Sequence, residues 1–217
     1  MPHSLYLRQL QLGPMKNFVY LVGPSEGSDV LVVDPAWDVP AIEAAALADG
    51  KRIAGAFASH CHGDHINGLP ELLSRHDVPV FAHADEVDFS PELRRLKDAV
   101  RPLRGGDALP VGEGFQAIHT PGHTPGSHCL LARGALVSGD TVFINACGRC
   151  DLKGGDPEAM YRSLTQVLAP LPSDTALYPG HDYADRPVST LADERAHNPY
   201  FRLGALQAFV AYRMRPR

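Results

Sequence analysis

The sequence of 217 residues contains no apolar run long enough to cross a membrane. Its first ten residues, MPHSLYLRQL, lack the apolar centre of a secretory signal peptide. Basic residues form no extended cluster, and the net charge is -5, which disfavours binding to nucleic acid. We therefore expect a cytoplasmic protein that acts on a small molecule, with neither a membrane nor a nucleic acid as partner.

Cysteine is also scarce, with four residues in the chain. In a reducing compartment, a chain of this size keeps such residues as thiols, so we expect no disulfides. Cys147 and Cys150 form a single C-x-x-C motif. A structural zinc knuckle needs two more ligands nearby, and no second pair follows, so a zinc knuckle or redox motif is disfavoured here.

Apolar, β-branched segments alternate with helical segments, and no internal repeat or low-complexity linker interrupts them. The chain therefore predicts a single α/β domain over residues 1–217, with two mixed sheets packed together and helices outside. Strands are predicted at residues 18–22, 30–33, 52–58, 78–82, 116–119, 128–132, 135–138 and 175–178. Helices are predicted at residues 39–48, 66–75, 91–99, 157–168, 190–197 and 203–213.

The stretch SHCHGDHINGL, directly after a predicted strand, contains the pattern H-x-H-x-D-H. Residues two apart on extended backbone point the same way, so His60 and His62 can face one point. The chain turns at Gly63, so Asp64 and His65 can face a second point. Imidazole and carboxylate groups suit zinc or iron. A polar helix start with Asp64 as its N-cap is the alternative, which four such side chains in six residues disfavour.

Three further candidate ligands lie far apart in the sequence but in similar settings. His123 lies in TPGHTPGS, Asp140 in SGDT and His181 in YPGHDY. Each follows a predicted strand and enters a turn that contains glycine, where a rigid scaffold commonly presents functional side chains. Each has an ordinary explanation as a loop residue, but with the first cluster the set reaches seven ligands, enough for two metal ions.

These four motifs, in this order and at this spacing, strongly resemble those of the metallo-β-lactamase superfamily. The resemblance implies a four-layer αββα sandwich with the metals at one edge of the two sheets. It places His60, His62 and His123 on one metal. It places Asp64, His65 and His181 on the other, with Asp140 between the two.

The segments CGRCDLKGGDPEAMYRSL, LPSDTALYPGHDY and STLADERAHNPYF narrow the resemblance. They are similar to glyoxalase II-like hydrolases, also called hydroxyacylglutathione hydrolases, especially the short ones. They are also similar to persulfide dioxygenases, which share G-R-x-D, H-D-Y and S-T-x-x-x-E-R-x-x-N-P.

Two reactions follow from this resemblance. In the first, two divalent ions, zinc before iron, activate a water to hydroxide, and Asp64 orients it as the catalytic residue for thioester hydrolysis. In the second, one iron on His60, His123 and Asp140 supports a dioxygenase that acts on glutathione persulfide. A non-catalytic metal-binding protein is the third reading, which the complete ligand set disfavours.

Residues in loops near the ligands are candidates for substrate binding. Arg149, Lys153 and Arg186 are cations that could contact an anionic substrate such as a glutathione conjugate, although surface salt bridges would explain them equally well. Tyr183 lies two residues after His181 and could form a hydrogen bond with the substrate, or simply pack. Residues 201–214 carry enough apolar side chains for either a helix packed on the body or a homodimer contact.

Overall fold

Two mixed β-sheets form the centre of the structure, a computed structural model that describes residues 4–215. The first sheet contains six strands in chain order: β1 (Leu5–Leu12), β2 (Asn17–Pro24), β3 (Asp29–Val33), β4 (Arg52–Phe57), β5 (Val80–His83) and β6 (Val100–Leu103). The strands from β1 to β3 are antiparallel, and those from β3 to β6 are parallel.

The second sheet is built from later segments of the chain. The later strands are β7 (Phe115–His119), β8 (His128–Ala132), β9 (Ala135–Gly139), β10 (Val142–Phe143), β11 (Ala146–Cys147), β12 (Ala176–Pro179) and β13 (Ser189–Thr190). Five of them pair in the order β13-β12-β9-β8-β7, and β9 and β12 run parallel. Strands β10 and β11 form a separate hairpin.

Helices connect the strands and cover the outer faces of both sheets. They are α1 (Val39–Ala48), α2 (Gly63–Ile66), α3 (Leu69–Arg75), α4 (Ala84–Phe89), α5 (Pro91–Arg95), α6 (Pro157–Arg162), α7 (Leu191–His197), α8 (Pro199–Arg202) and α9 (Leu206–Arg213). A π-helical turn, Ser163–Leu168, continues α6. None of the helices in residues 4–215 is long and apolar enough to cross a membrane.

Side chains that alternate between the two faces of each strand explain why both faces of the first sheet are covered. In β2, Phe18 and Tyr20 belong to the core between the sheets, whereas Val19 and Leu21 pack on the opposite side with helices α1 and α3. Side chains on a strand alternate between faces, and such an apolar pattern on both faces is expected when each face is covered.

The second sheet is covered in the same way. Leu130 and Val137 join the core between the sheets, while Cys129 and Leu136 pack outward against α6, the π-helical turn and α9. The two sheets therefore lie between two helical layers, and the predicted four-layer αββα sandwich is confirmed.

Some elements differ from their prediction. The helix predicted at residues 66–75 is divided into α2 and α3 around Gly68, whose N–H donates to the carbonyl of Pro35. A Cβ at Gly68 would lie 2.6 Å from that carbonyl oxygen, so this close approach requires glycine. Strand β1 was not predicted because it is an edge strand whose side chains are mostly half-buried, which leaves a weak apolar pattern.

The C-terminal segment packs on the body of the protein. Phe209 in α9 is fully buried in the cluster outside the second sheet, and its ring contacts the rings of Tyr161 and Tyr200. Of the two predicted roles for residues 201–214, the packed helix is therefore observed. None of the four cysteines forms a disulfide, as expected.

Candidate metal centre

The seven predicted ligands come together at one edge of the sandwich. Four strands, β4, β7, β9 and β12, end shortly before His60, His123, Asp140 and His181, respectively. Because these strands end at the same edge, the loops that follow them meet in space. Residues that are far apart in the sequence, each just after a strand, therefore lie together in one site.

The first group of ligands is His60, His62 and His123, whose candidate ligand atoms all lie within 4.8 Å of one another. The closest pair is Nε2 of His123 and Nδ1 of His62, 2.9 Å apart. His60 and His123 are buried, and His62 is half-buried where the group opens to solvent. Three imidazoles at this spacing match the ligand set of a transition metal.

The second group is Asp64, His65 and His181, also with ligand atoms within 4.8 Å of one another. The Nε2 atoms of His65 and His181 are 3.1 Å apart, and Oδ2 of Asp64 lies 3.5 and 3.4 Å from them, respectively. Two imidazoles and a carboxylate again suit a divalent metal.

Asp140 lies between the two groups and turns one oxygen to each. Its Oδ2 atom is 3.5 Å from Nε2 of His123 in the first group. Its Oδ1 atom is 3.3 Å from Nε2 of His65 and 3.5 Å from Nε2 of His181 in the second. A carboxylate in this position can bind one metal through each oxygen.

The outer ring nitrogens of three ligands are committed as hydrogen-bond donors. Nδ1 of His123 donates to the carbonyl of Arg149 at 2.7 Å, and Nδ1 of His181 donates to the carbonyl of Met15 at 2.9 Å. Nδ1 of His65 lies 2.9 Å from a carboxylate oxygen of Asp34. Because carbonyls and carboxylates only accept, the Nε2 atom of each neutral ring carries a lone pair directed into the site.

The interior of the site therefore consists of acceptors that need a cation. Nε2 of His60 and Oδ1 of Asp140 are buried and have no hydrogen-bond partner among the described residues. Buried polar atoms are normally paired, so unpaired acceptors that face one another mark the place of a positive charge. These seven side chains fit two metal ions, which the structure does not contain.

The ionisation of three of the candidate ligands, His60, His62 and Asp140, agrees with this reading. Burial lowers the pKa of His62 to about 4 and holds the pKa of His60 well below its usual value, so both rings are neutral near pH 7. Burial also opposes a charge on His65, but the Asp140 and Asp34 carboxylates outweigh it and raise its pKa. Burial disfavours ionised Asp140, yet the nearby histidines outweigh burial and hold its pKa well below the usual range. Neutral imidazoles and an ionised carboxylate are the forms that bind metal, so His60, His62 and Asp140 are already in those forms, whereas metal binding at His65 would release its proton.

Two buried side chains that sequence reasoning did not select support the ligands. Asp34 contacts His65 and accepts hydrogen bonds at 2.6 Å from both the backbone N–H and the hydroxyl of Ser59, which also contacts His60. Asn17 donates through Nδ2 to Oδ2 of Asp64 at 2.9 Å. Nothing local in VVDPAW indicates that Asp34 has a partner 31 residues away, so the sequence does not identify this role.

Glu86 connects the two ligand loops, and it too was missed in the sequence. It is fully buried and accepts from the backbone N–H of Cys61 at 2.7 Å in the first loop. In the second loop it accepts from the hydroxyl of Thr124 and the N–H of Gly126, each at 2.8 Å. One carboxylate thereby sets the spacing between His62 and His123.

A cleft of about 690 Å³ opens over the ligands, a volume typical of small-molecule sites. Of the four predicted substrate residues, Arg149 and Tyr183 line it. Lys153 does not line it and lies with Nζ 5.5 Å from the centre of the Phe89 ring. Arg186 borders a different depression and pairs with Asp193 at 3.4 Å. The structure thus brings two of these side chains to the ligands and leaves two apart.

Arg149 and Tyr183 differ in the partners that they already have within the protein. Arg149 is paired with Asp151 through two nitrogens at 2.7 and 3.0 Å, so its charge is already matched. The ring of Tyr183 stacks on that of His181 at 4.6 Å and 8°. Burial and the nearby carboxylates Asp140 and Asp64 raise the pKa of Tyr183, so its hydroxyl stays protonated and can donate.

Comparison with known proteins agrees with the geometry. The family model of the metallo-β-lactamase superfamily matches residues 12–181. The hydroxyacylglutathione hydrolase of Nitrosococcus oceani is 35% identical over 188 residues, which cover 84% of this chain and 68% of that protein. The human mitochondrial persulfide dioxygenase ETHE1 is 32% identical over 205 residues, covering 92% of this chain and 77% of that protein.

A solved structure extends the likeness to the whole fold. The crystal structure of ETHE1 from Myxococcus xanthus has a TM-score of 0.86 and 29% identity, and the match covers 98% of this chain and 92% of that one. The matched family segment includes all seven candidate ligands, which the structure brings together. The chain belongs to the metallo-β-lactamase superfamily, in the branch that contains hydroxyacylglutathione hydrolases and persulfide dioxygenases.

Proposed function

We propose that this protein is a binuclear metal-dependent hydrolase of thioesters. The observation that carries the proposal is the pair of ligand groups on either side of Asp140, whose two oxygens face one group each. His60, His62 and His123 would hold one divalent ion, and Asp64, His65 and His181 the other, with Asp140 shared. Nitrogen and carboxylate ligands favour zinc, with iron as the other candidate.

The bound ions would lower the pKa of a water molecule and polarise the carbonyl of the substrate. Asp64 is the residue that would orient this water. Its Oδ2 atom faces His65 and His181 and accepts from Asn17, which leaves Oδ1 as the second acceptor at the cleft. Asn17 thereby determines which oxygen of Asp64 remains for the water.

The similarity to proteins named hydroxyacylglutathione hydrolase supports a thioester substrate. A thiolate, with a pKa of about 8.5 for an unperturbed thiol, leaves without an acid, whereas an amine needs a proton to depart. A substrate whose leaving group is a thiol therefore needs no acidic side chain in addition to the seven candidate ligands.

The alternative function is a persulfide dioxygenase with one iron on His60, His123 and Asp140. The similarity to proteins named persulfide dioxygenase supports it. In that arrangement His62, Asp64, His65 and His181 would surround the iron site without binding metal. We place the hydrolase first because Asp64, His65 and His181 form a second complete ligand group, with ligand atoms within 4.8 Å of one another.

Metal content and two activities, measured on one preparation, test the proposal. We expect two metal ions per chain by elemental analysis. We also expect thiol release from S-lactoylglutathione or another thioester, and no oxygen uptake with glutathione persulfide. The discriminating variant is His181→Ala, which should lose one of the two metals and about 100-fold or more of the hydrolysis, because metal ligands matter at least as much as their outer partners.

The matched control is His197→Ala, which removes an exposed histidine of α7 that belongs to neither ligand group and does not line the cleft. This variant should keep both metals and full hydrolysis. A single iron per chain that survives His181→Ala, together with oxygen uptake and no thioester hydrolysis, would reject the hydrolase in favour of the dioxygenase.

A further inference from the structure

The walls of the cleft, away from the metal ligands, are mainly apolar. They include Met15, Phe143, Leu152 and Tyr183. Across the described residues, four large hydrophobic side chains are exposed, and two of them, Met15 and Tyr183, border this cleft. Exposed apolar side chains that cluster at a cleft indicate a surface that a ligand covers.

Met15 is presented to the cleft by a fixed backbone. It lies in the turn between β1 and β2, where Gly13 and Lys16 have left-handed φ values of 70° and 58°. Its carbonyl accepts from Nδ1 of His181 at 2.9 Å, while its side chain is 47% exposed. The backbone is therefore anchored to a ligand, and the apolar side chain at the cleft remains to contact a substrate.

Aromatic rings form another part of the wall. The rings of Phe143 and Tyr183 meet edge to face at 5.6 Å, and each also contacts the ring of His181. Such aromatic contacts limit the rotation of these side chains. The rings thus offer a preformed apolar surface directly beside the ligands.

Positive charge is sparse around the same cleft. Among the described residues that line it, Arg149 is the one Lys or Arg, and its half-exposed guanidinium forms two hydrogen bonds with Asp151. Lys153 and Arg186 lie outside the lining. A glutathione carrier has two carboxylates, and the lining offers one cation for them, which Asp151 also binds.

We propose that the substrate is a thioester with an apolar, uncharged acyl group on a carrier that lacks the charges of glutathione. The inference rests on the proposed hydrolase function and specifies its substrate class. The acyl group would lie against Met15, Leu152 and the aromatic pair, and the thioester carbonyl would face the metal ligands. Burial of the acyl chain, and not charge pairing, would then provide selectivity.

The test uses two series of synthetic thioesters on the metal-loaded enzyme. Acetyl, butyryl and hexanoyl groups are attached either to N-acetylcysteamine, which is uncharged, or to glutathione. On N-acetylcysteamine we expect kcat/KM to rise by up to about fourfold per methylene, the equivalent of about 0.8 kcal/mol. At equal acyl length, the uncharged carrier should be preferred to glutathione.

The double variant Met15→Ala/Leu152→Ala should flatten the dependence on acyl length, with about tenfold lower kcat/KM for hexanoyl and little change for acetyl. Met214→Ala, which truncates an exposed apolar side chain outside the cleft lining, is the control and should leave the series unchanged.

Preference for the glutathione series, or an equal rate for all acyl lengths, would overturn the substrate class while leaving the hydrolase intact. Lack of hydrolysis of both series by an enzyme with two metals bound would reject the hydrolase itself.

Discussion

At the scale of single residues, the orientation of one amide shows how the site is arranged. The indole N–H of Trp37 can only donate, and it lies 2.8 Å from Oδ1 of Asn17. That contact fixes the amide so that its NH₂ group faces Asp64. Trp37 itself has a left-handed φ of 65°, a conformation uncommon for a bulky residue, so the surrounding structure must hold it there.

Replacing Asn17 tests this arrangement. We expect Asn17→Ala to lower kcat by about 10- to 100-fold and to weaken binding of the metal at Asp64, as loss of outer partners of metal ligands commonly does. Trp37→Phe, which keeps a ring but removes the N–H, should give a smaller loss in kcat. Metal titration and steady-state kinetics would measure both. Unchanged kcat in Asn17→Ala, with the fold intact by circular dichroism, would show that the amide does not position Asp64.

At the scale of elements, ligand loops are held together by a helix that has no ligand of its own. Helix α4 follows β5 and contributes Glu86, which accepts three hydrogen bonds from the loops before α2 and after β7. A Cβ at Gly126 would lie 2.3 Å from the backbone nitrogen of Glu86, so the loop needs glycine to approach α4 this closely. The distance between two ligand loops thus depends on a third element.

The substitution Glu86→Gln should destabilise the protein by about 1–3 kcal/mol. One carboxylate oxygen becomes an NH₂ group that faces buried donors, and a buried donor without an acceptor costs that much. Metal affinity should also fall, because His62 and His123 lose their common spacing. Urea unfolding would measure the first effect and metal titration the second. Glu92→Gln on the exposed side of α5 serves as the control, and equal stability of the two variants would contradict this role.

At the scale of the whole molecule, histidines also lie between the two sheets, outside the ligand set. The ring of His83, at the end of β5, stacks on that of His119 in the other sheet at 3.8 Å and 11°. His128 is buried against Phe57 with a ring distance of 4.2 Å, and neither of its ring nitrogens meets a hydrogen-bond partner in residues 4–215. Burial lowers the pKa of His128 to about 3 and that of His83 to about 4.

These low pKa values of His128 and His83 predict that the protein becomes less stable as the pH is lowered. Unfolded histidine has a pKa of about 6.5, so below that pH the unfolded chain binds protons that the folded chain rejects. The free energy of unfolding should therefore decrease as pH falls from about 6.5 toward 4. His128→Leu should reduce this dependence, and urea unfolding of metal-free protein at several pH values would measure it. If the free energy of unfolding depended on pH equally in the unmodified protein and in His128→Leu, the assignment of this effect to His128 would be contradicted.

The sequence by itself predicted the candidate ligand set and determined the layers of the fold. Strand-end motifs such as SGDT and YPGH are local, and alternating apolar residues determine which face of a strand is covered. For the same reason, the family could be identified from four short motifs, and the fold could be predicted except for weakly patterned elements such as β1.

Only the tertiary structure decided how the ligands are supported and what surrounds them. Asp34, Asn17 and Glu86 acquire their roles from partners that are 25 to 47 positions away, and no local pattern encodes such distances. Packing likewise left Lys153 and Arg186 outside the cleft, although they are close in sequence to residues that line it. Proximity along the chain predicts which residues enter a loop, whereas the direction of each side chain depends on the elements that pack against that loop.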